Sequence, residues 1–360
     1  MDREGEIIEI TGRREIQAQV EFPQMQKGDE RLSEEMRCEV EKAASVRRCK
    51  ELIDQHKSSL LFVNTRDAAE SLASCFNLWL EDYPIGVHHG SLSKEARIDV
   101  ENRFKSGETK ALICTSSMEM GIDLGDTDFV LQYQSPRQVT RYVQRVGRSG
   151  HRIGEISKGS IITSTRDDIA EGAVIVKRAL ERDLELTDIP EEPMSVLANQ
   201  LISTVHTEKK FDMYDFYEMA IRAYPFRNLS RVQYEELVEQ LANIRVIWKD
   251  ENEIGKRRAS LTYFYDNISM IPDEKTFLMR NMTSNSIIGT LDESFVANHS
   301  EIGGVITLQG KAWRVVDIED DEVLVNPVKD LGRIPDWSGE DIPVPFEVAQ
   351  EVGRLRETGF

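Results

Sequence analysis

"YVQRVGRSGHR", residues 142–152, sets three arginines among spaced glycines in a chain whose formal net charge is −19. The bias extends on both sides. From Phe129 to Gly154 there is no Asp or Glu, although charged residues make up 30% of the chain. Arg137, Arg141, Arg145, Arg148 and Arg152 follow one another at steps of 4, 4, 3 and 4. If helical, that spacing sets the arginines on one stripe. Val139, Tyr142, Val143 and Val146 then form the opposite, buried face. Like charges one helical turn apart repel by roughly a few tenths of a kcal/mol per pair. A row without carboxylates nearby in sequence therefore suits an anion brought from outside. The alternative is a solvated face whose carboxylates arrive from elsewhere in the fold.

Working outward, the neighbouring segments alternate. "SLLFVN" (59–64), "IGVHH" (85–89), "ALICT" (111–115), "FVLQY" (129–133) and "SIIT" (160–163) read as short apolar strands. Helices are predicted over 67–80, 93–107 and 168–184, and one long helix over 31–56, taken as a docking helix at the domain start. Strand–helix alternation of this kind implies a parallel sheet covered on both faces, RecA-like or Rossmann-like, with ligands beyond the strands' carboxyl ends. After "TDIPEEP" (187–193) the alternation stops. Three helices at 194–206, 212–224 and 231–245 follow, the last opening on a Ser230/Gln233 capping box. "RVIW" and "ASLTYFY", joined by the polar turn "KDENEIGKRR", are expected to pair as a β-hairpin, completing a winged-helix pattern. From about 270, "TFLMRNM", "SIIGTL", "GGVITL", "KAWRVVDI" and "EVLVNPV" suggest a small β-barrel. "PVPFEVAQEVGRLRETGF" begins a helix that stops without an obvious cap, as if the chain were cut there. The expected fold class is α/β: a RecA-like parallel-sheet domain over 1–187, a winged helix over 188–265, a small β-barrel over 266–342 and the start of a truncated helical region over 343–360.

Composition narrows the class without deciding it. A length of 360 residues suits two or three domains. No apolar run approaches the ~20 residues of a membrane span, and "MDREGEIIEI" has no signal-peptide pattern. Cys38, Cys49, Cys75 and Cys114 form no CxxC pair, so a reduced, cytoplasmic protein without structural zinc is expected. Residues 1–187 hold 27 Lys+Arg against 33 Asp+Glu, and the remainder 18 against 31. The overall acidity argues weakly against nonspecific nucleic-acid binding. The arginine window is a local exception.

A phosphate loop G-x-x-x-x-G-K-[ST] is absent. "GVITLQGKA" (304–312) has one residue too many and Ala where a hydroxyl must meet magnesium. No D-E-x-[DH] box follows an apolar strand; "DESF" at 292 lies in the barrel region. The arginines therefore lack a phosphate site of their own. His88 and His89 are adjacent on a strand, so their side chains are expected on opposite faces, which disfavours a metal pair. "GKRR" (255–258) is either a phosphate-touching wing or a solvated turn, and Trp313 and Trp337 are expected in the barrel core rather than stacked on bases.

Four stretches in order, "LLFVNTR" (60–66), "HHGSLS" (88–93), "CTSSMEMGIDLGDTDFV" (114–130) and "QRVGRSGHR" (144–152), resemble motifs IV, V and VI and the intervening H-x-G loop of superfamily 2 helicases. With "IGTLDESFV" (288–296), "AWRVVDI" (312–318) and "IPDWSGEDIP" (334–343), nearly the whole chain beyond residue 55 resembles the large helicase-related (Lhr) family of DNA helicases. That resemblance implies ATP and Mg²⁺, bound mainly by a first RecA-like domain that lies outside this chain. It implies inactivity as an ATPase without that domain. Arg145 and Arg148 match arginines that reach the γ-phosphate, and Gln144 a residue linking nucleotide state to nucleic-acid grip. Gly121 matches a point of close backbone approach, and Asp123 an acid near the ATP ribose. Asn64, Thr65, Arg66, Thr115 and Ser116 match contacts to the nucleic-acid backbone. Where the general motif ends in Arg, His151 precedes Arg152, and either fills that role. The implied partners are DNA, single-stranded or with a single-stranded tail, and the missing RecA-like domain, with no membrane. Motifs IV to VI leave open an RNA helicase, or a nucleic-acid-binding protein without ATPase activity.

Overall fold

The structure, a computed structural model, describes residues 15–119, 125, 127–150, 156–186, 189–270, 275–328, 334 and 342–358. The chain forms two compact units, one built from residues up to Glu185 and from Lys275 onward, the other from Leu186–Glu274.

The first unit is centred on a parallel sheet. In chain order it runs β1 (Ile16–Glu21), α1 (Asp29–Met36), α2 (Val40–Gln55), β2 (Ser59–Phe62), α3 (Arg66–Trp79), β3 (Ile85–His88), α4 (Lys94–Lys105), β4 (Ala111–Cys114), β5 (Phe129–Tyr133), α5 (Val139–Val146), β6 (Ser157–Ile162) and α6 (Arg166–Glu181). The six strands are ordered β1-β6-β5-β2-β4-β3, and every pairing is parallel. β2, β4 and β5 are buried along their whole length, which is why they read as unbroken apolar runs rather than as alternation. β1 escapes that signature. It lies at the edge, half-buried in alternation, and pairs with β6 from Ile16↔Ser157 to Glu21↔Ile162.

The expected single helix over 31–56 is two. Arg37 takes a left-handed conformation (φ 53°), and the Cys38 N–H returns to the Ser33 carbonyl at 3.1 Å. Both pieces bury one stripe, Met36 on α1 and Ala43, Val46, Cys49 and Ile53 on α2, so the apolar period runs through a break it does not reveal.

The second unit comprises α7 (Met194–Glu208), β7 (Lys210–Asp212), α8 (Met213–Ala220), α9 (Arg231–Asn243), β8 (Ile247–Asp250), β9 (Glu253–Lys256) and α10 (Arg258–Asp266), with its own core around Leu201, Ile202, Tyr234 and Val238. The Ser230 cap forms as expected: the Gln233 N–H donates to Ser230 Oγ at 3.2 Å, and the Gln233 side chain accepts from the Ser230 N–H at 3.0 Å. The hairpin differs from expectation. Its second strand is β9, inside the stretch read as a polar turn, while "ASLTYFY" lies in helix α10. Ser260, Tyr263 and Phe264 stand at i, i+3 and i+4, so only a helix turns all three toward the core. Ser260 also accepts from the Arg257 N–H at 2.9 Å and donates to the Val246 carbonyl at 2.6 Å. "GKRR" spans the end of β9 and the start of α10. Lys256, Arg257 and Arg258 are exposed, and Arg257 Nε donates to the Ile247 carbonyl.

The chain then returns to the first unit with β10 (Thr276–Asn281), β11 (Ile287–Asp292), α11 (Glu293–His299), β12 (Val305–Leu308), β13 (Lys311–Ile318), β14 (Glu322–Val328) and α12 (Phe346–Glu357). The five strands, ordered β11-β10-β14-β13-β12, form a curled mixed sheet resembling a half-barrel, with β10 and β14 parallel. Trp313 fills its core and donates through Nε1 to the Leu308 carbonyl at 2.9 Å; Trp337 lies outside the described residues. This sheet is joined to the parallel sheet by backbone. The Thr290 N–H donates to the Ser91 carbonyl at 2.8 Å, the Ser93 N–H to the Ile288 carbonyl at 3.2 Å, and Leu92 bridges Gly289. A Cβ on Gly289 would stand 2.5 Å from the Ser91 carbonyl oxygen, so only glycine allows this approach. α12 packs Val348 and Val352 against the α5–α6 core, and its Glu351 pairs with Arg178 at 2.8 Å. No described helix is long and apolar enough to cross a membrane.

Candidate functional site

The loops that leave β2, β3, β4 and β5 share the carboxyl edge of the parallel sheet, where ligands of such sheets collect. Asn64, Thr65 and Arg66 follow β2. Thr65 caps α3, accepting from the Ala68 N–H at 3.3 Å. Arg66 Nη1 donates to Ser91 Oγ at 2.6 Å. Thr115 is buried at the end of β4, and Ser116 is exposed at the first position of a short 3₁₀ turn.

Arg145, expected on an exposed stripe, points inward and is 0% exposed. Its Nε donates to Glu119 Oε1 at 2.7 Å, and its Nη1 donates to Gln132 Oε1 at 2.7 Å and to Asn64 Oδ1 at 3.0 Å. Nη2 also lies 2.7 Å from Glu119 Oε1, near enough for Coulomb attraction although not aligned for a hydrogen bond. The guanidinium sits 5.4 Å from the Phe62 ring centroid. Burial pulls its pKa below the ordinary value, and the charge of Glu119 opposes that pull. An arginine starts so far above neutrality that it stays charged here. The network reaches further, since Asn64 Nδ2 donates to the Ser135 carbonyl at 2.7 Å. The Ser135 N–H in turn donates to Asp168 Oδ1, and the Ser164 N–H to Asp168 Oδ2 at 2.9 Å. One buried cation thus ties together the segments after β2 and β4 and the ends of β5 and α5.

The arginine row is only partly a helix face. α5 covers Arg141 and Arg145; Arg137 precedes it with φ 67°, and Arg148 follows it. Carboxylates do arrive from elsewhere in the fold: Glu171 for Arg137 at 3.3 Å, and Glu119 for Arg141 at 3.6 Å. Arg148 differs. It is half-buried, and the polar contact of its guanidinium among the described residues is Nε to the Gln144 carbonyl at 3.4 Å. Gln144 itself is exposed. Gly121, Asp123, His151 and Arg152 lie outside the described residues.

His88 and His89 go to different carboxylates, as their alternation predicts. His88 Nε2 meets Glu101 at 2.9 Å and its Nδ1 meets Ser117 at 3.0 Å, while His89 Nε2 meets Glu70 at 2.9 Å. Glu70 is wholly buried and also accepts from the Gln309 and Gly310 N–H groups at 2.9 and 2.6 Å. Sequence reasoning missed Glu119, Gln132, Ser91 and Glu70. Glu119 had a legible signal as the carboxylate in "SSMEMG", ten residues upstream of the acid-free window.

Residues 44–154, which carry β2 to β5 and their carboxyl-edge loops, match the helicase conserved C-terminal domain, the C-terminal region of a superfamily 2 helicase. Residues 177–333 match the large helicase-related protein winged helix domain. The chain belongs to the large helicase-related (Lhr) family. It is 35% identical over 331 residues to the ATP-dependent helicase Lhr-Core protein 2 of Thermococcus barophilus, covering 87% of this chain and 38% of that protein. It is 35% identical over 323 residues to the ATP-dependent helicase Lhr-Core of Sulfolobus acidocaldarius, covering 84% of this chain and 36% of that one. The chain thus spans well under half the length of these relatives. The solved structure of Mycobacterium smegmatis helicase Lhr bound to ssDNA and AMP-PNP matches with a TM-score of 0.65 and 27% identity, covering 95% of this chain and 41% of that one.

Proposed function

We propose that this chain supplies the second half of an ATP-driven DNA motor, with Arg148 as the arginine finger. The observation that carries the reading is the contrast at the end of α5. Arg137, Arg141 and Arg145 are each taken by a carboxylate, whereas Arg148 keeps its guanidinium half-exposed with a single carbonyl contact among the described residues. A planar fork left in that state suits the oxygens of a phosphate better than it suits solvent. In this reading ATP·Mg²⁺ sits mainly on the first RecA-like domain, and Arg148 stabilises charge developing on the transferred group. In the same reading Gln144, one turn earlier and exposed, links nucleotide state to strand grip, and Gly121 and Asp123 are assigned to the nucleotide by their match to the family motif alone.

Arg145 was the other candidate finger. Its enclosure supports a positioning role instead: it fixes Asn64 and Glu119, so a displacement at motif VI reaches the strand-contacting loops. Asn64, Thr65, Arg66, Thr115 and Ser116 form the proposed edge for the nucleic-acid backbone. The relative solved with ssDNA and AMP-PNP supports DNA as the substrate.

The test is ATP turnover by this chain alone and after mixing with the first RecA-like domain of the same protein. Hydrolysis is expected only in the mixture. Sustained magnesium-dependent turnover by the isolated chain would overturn the reading.

A further inference from the structure

Arg66 does not choose its own direction. Its Nη1 donates to Ser91 Oγ, and Ser91 belongs to a loop with little freedom to move. The loop's first imidazole neighbour, His89, is bound to Glu70, the Ser91 carbonyl accepts from the Thr290 N–H, and Ser93 donates to Ile288. Glu70 adds a second tie, because the same buried carboxylate accepts from both N–H groups at the β12–β13 turn. Asn77 Nδ2 completes that grip by donating to the Gly310 carbonyl at 2.8 Å. The loop is therefore held between α3 and the five-stranded sheet, and the hydroxyl that receives Arg66 is fixed by both.

We propose that Ser91 is a positioning residue for the nucleic-acid grip: it presents Arg66 to the strand at an angle set by the five-stranded sheet. The proposal rests on reading Arg66 as a backbone contact. Its physical basis is preorganisation. A free arginine at a sheet edge samples many rotamers, and each phosphate contact must first freeze one of them; a fixed acceptor does so in advance. The five-stranded sheet then tunes strand affinity without touching the strand, and Glu70 is the side chain that couples the two.

The experiment measures binding of the complete motor, both RecA-like domains present, to a fluorescent oligo-dT over a salt series. Arg66→Ala is expected to lower the slope of log affinity against log salt by about 0.7, the share of one phosphate on a single strand. Ser91→Ala is expected to weaken binding at fixed salt by about 3- to 10-fold, the worth of one hydrogen bond. On the Arg66→Ala background the same change is expected to do nothing, and Ser91→Thr, which keeps the hydroxyl, is expected to retain affinity. Glu70→Gln gives a second route to the same dependence on Arg66, and melting temperatures of all variants check that they fold. Equal losses from Ser91→Ala on both backgrounds, or no loss at all, would refute the positioning role while leaving Arg66 as a contact. An unchanged salt slope in Arg66→Ala would remove the contact itself, and the inference with it.

Discussion

Arg145 and Arg148 stand one helical turn apart and meet opposite surroundings. Arg145 is enclosed by Glu119, Gln132, Asn64 and the Phe62 ring; the half-buried guanidinium of Arg148 meets one carbonyl among the described residues. The inner site is a network in which each removed partner leaves a buried group unsatisfied. The outer site has little to lose within the fold. Identical side chains at neighbouring positions are therefore expected to divide stability from chemistry, and mutation separates the two.

The largest expected effect falls on turnover. Arg148→Ala in the complete motor should cut ATP hydrolysis by about 10³-fold or more, with folding stability within about 0.5 kcal/mol of wild type. Arg148→Lys should also fail, because it keeps the charge and loses the fork. A stable Arg148→Ala enzyme with normal turnover would erase the distinction. Next comes the inner site. Glu119→Ala strands the Arg145 charge in the interior and should cost about 3–5 kcal/mol of stability, read from urea unfolding of this chain. A loss under about 1 kcal/mol, as for a surface pair, would mean the network is loose.

The smallest effect is a slope. Burial pushes the His88 pKa below its ordinary 6.5, with Glu101 opposing the shift and Arg97 adding to it. The folded state thus holds this imidazole neutral more readily than the unfolded chain does. Its contribution to stability is present above the unfolded pKa and is lost as pH falls through the folded one. The urea midpoint should therefore fall between about pH 7.5 and 5.5, and His88→Gln should flatten that fall. An identical profile in the variant would place the titration elsewhere.

The parallel sheet was legible because its central strands are buried on both faces and its helices carry clear apolar stripes. β1 was not, since an edge strand with half-buried alternation resembles any polar segment. α10 was misread because "LTYFY" has strand-like composition, and only the core around Val246 and Tyr234 makes the helix the better solution. For the site, the residue types were readable while their partners were not. Glu119 meets Arg145 across 26 residues, and Asn64 meets it across 81. No helical or strand periodicity spans such distances. Whether an arginine faces a carboxylate or a cleft is decided by tertiary placement.

Glu70 also has a history during synthesis. Its backbone donors at Gly310 come 240 residues later in the chain, after the whole of Leu186–Glu274 has been made. At about 5–20 residues per second, a ribosome needs roughly 10–50 s to deliver them. Throughout that interval the apolar side chain of Leu92, whose cover is the five-stranded sheet, is left open, and the Glu70 carboxylate still faces water. A chain released before Gly310 should therefore leave Leu92 uncovered and Glu70 without these two donors, and is expected to be cut by proteases faster than the full chain.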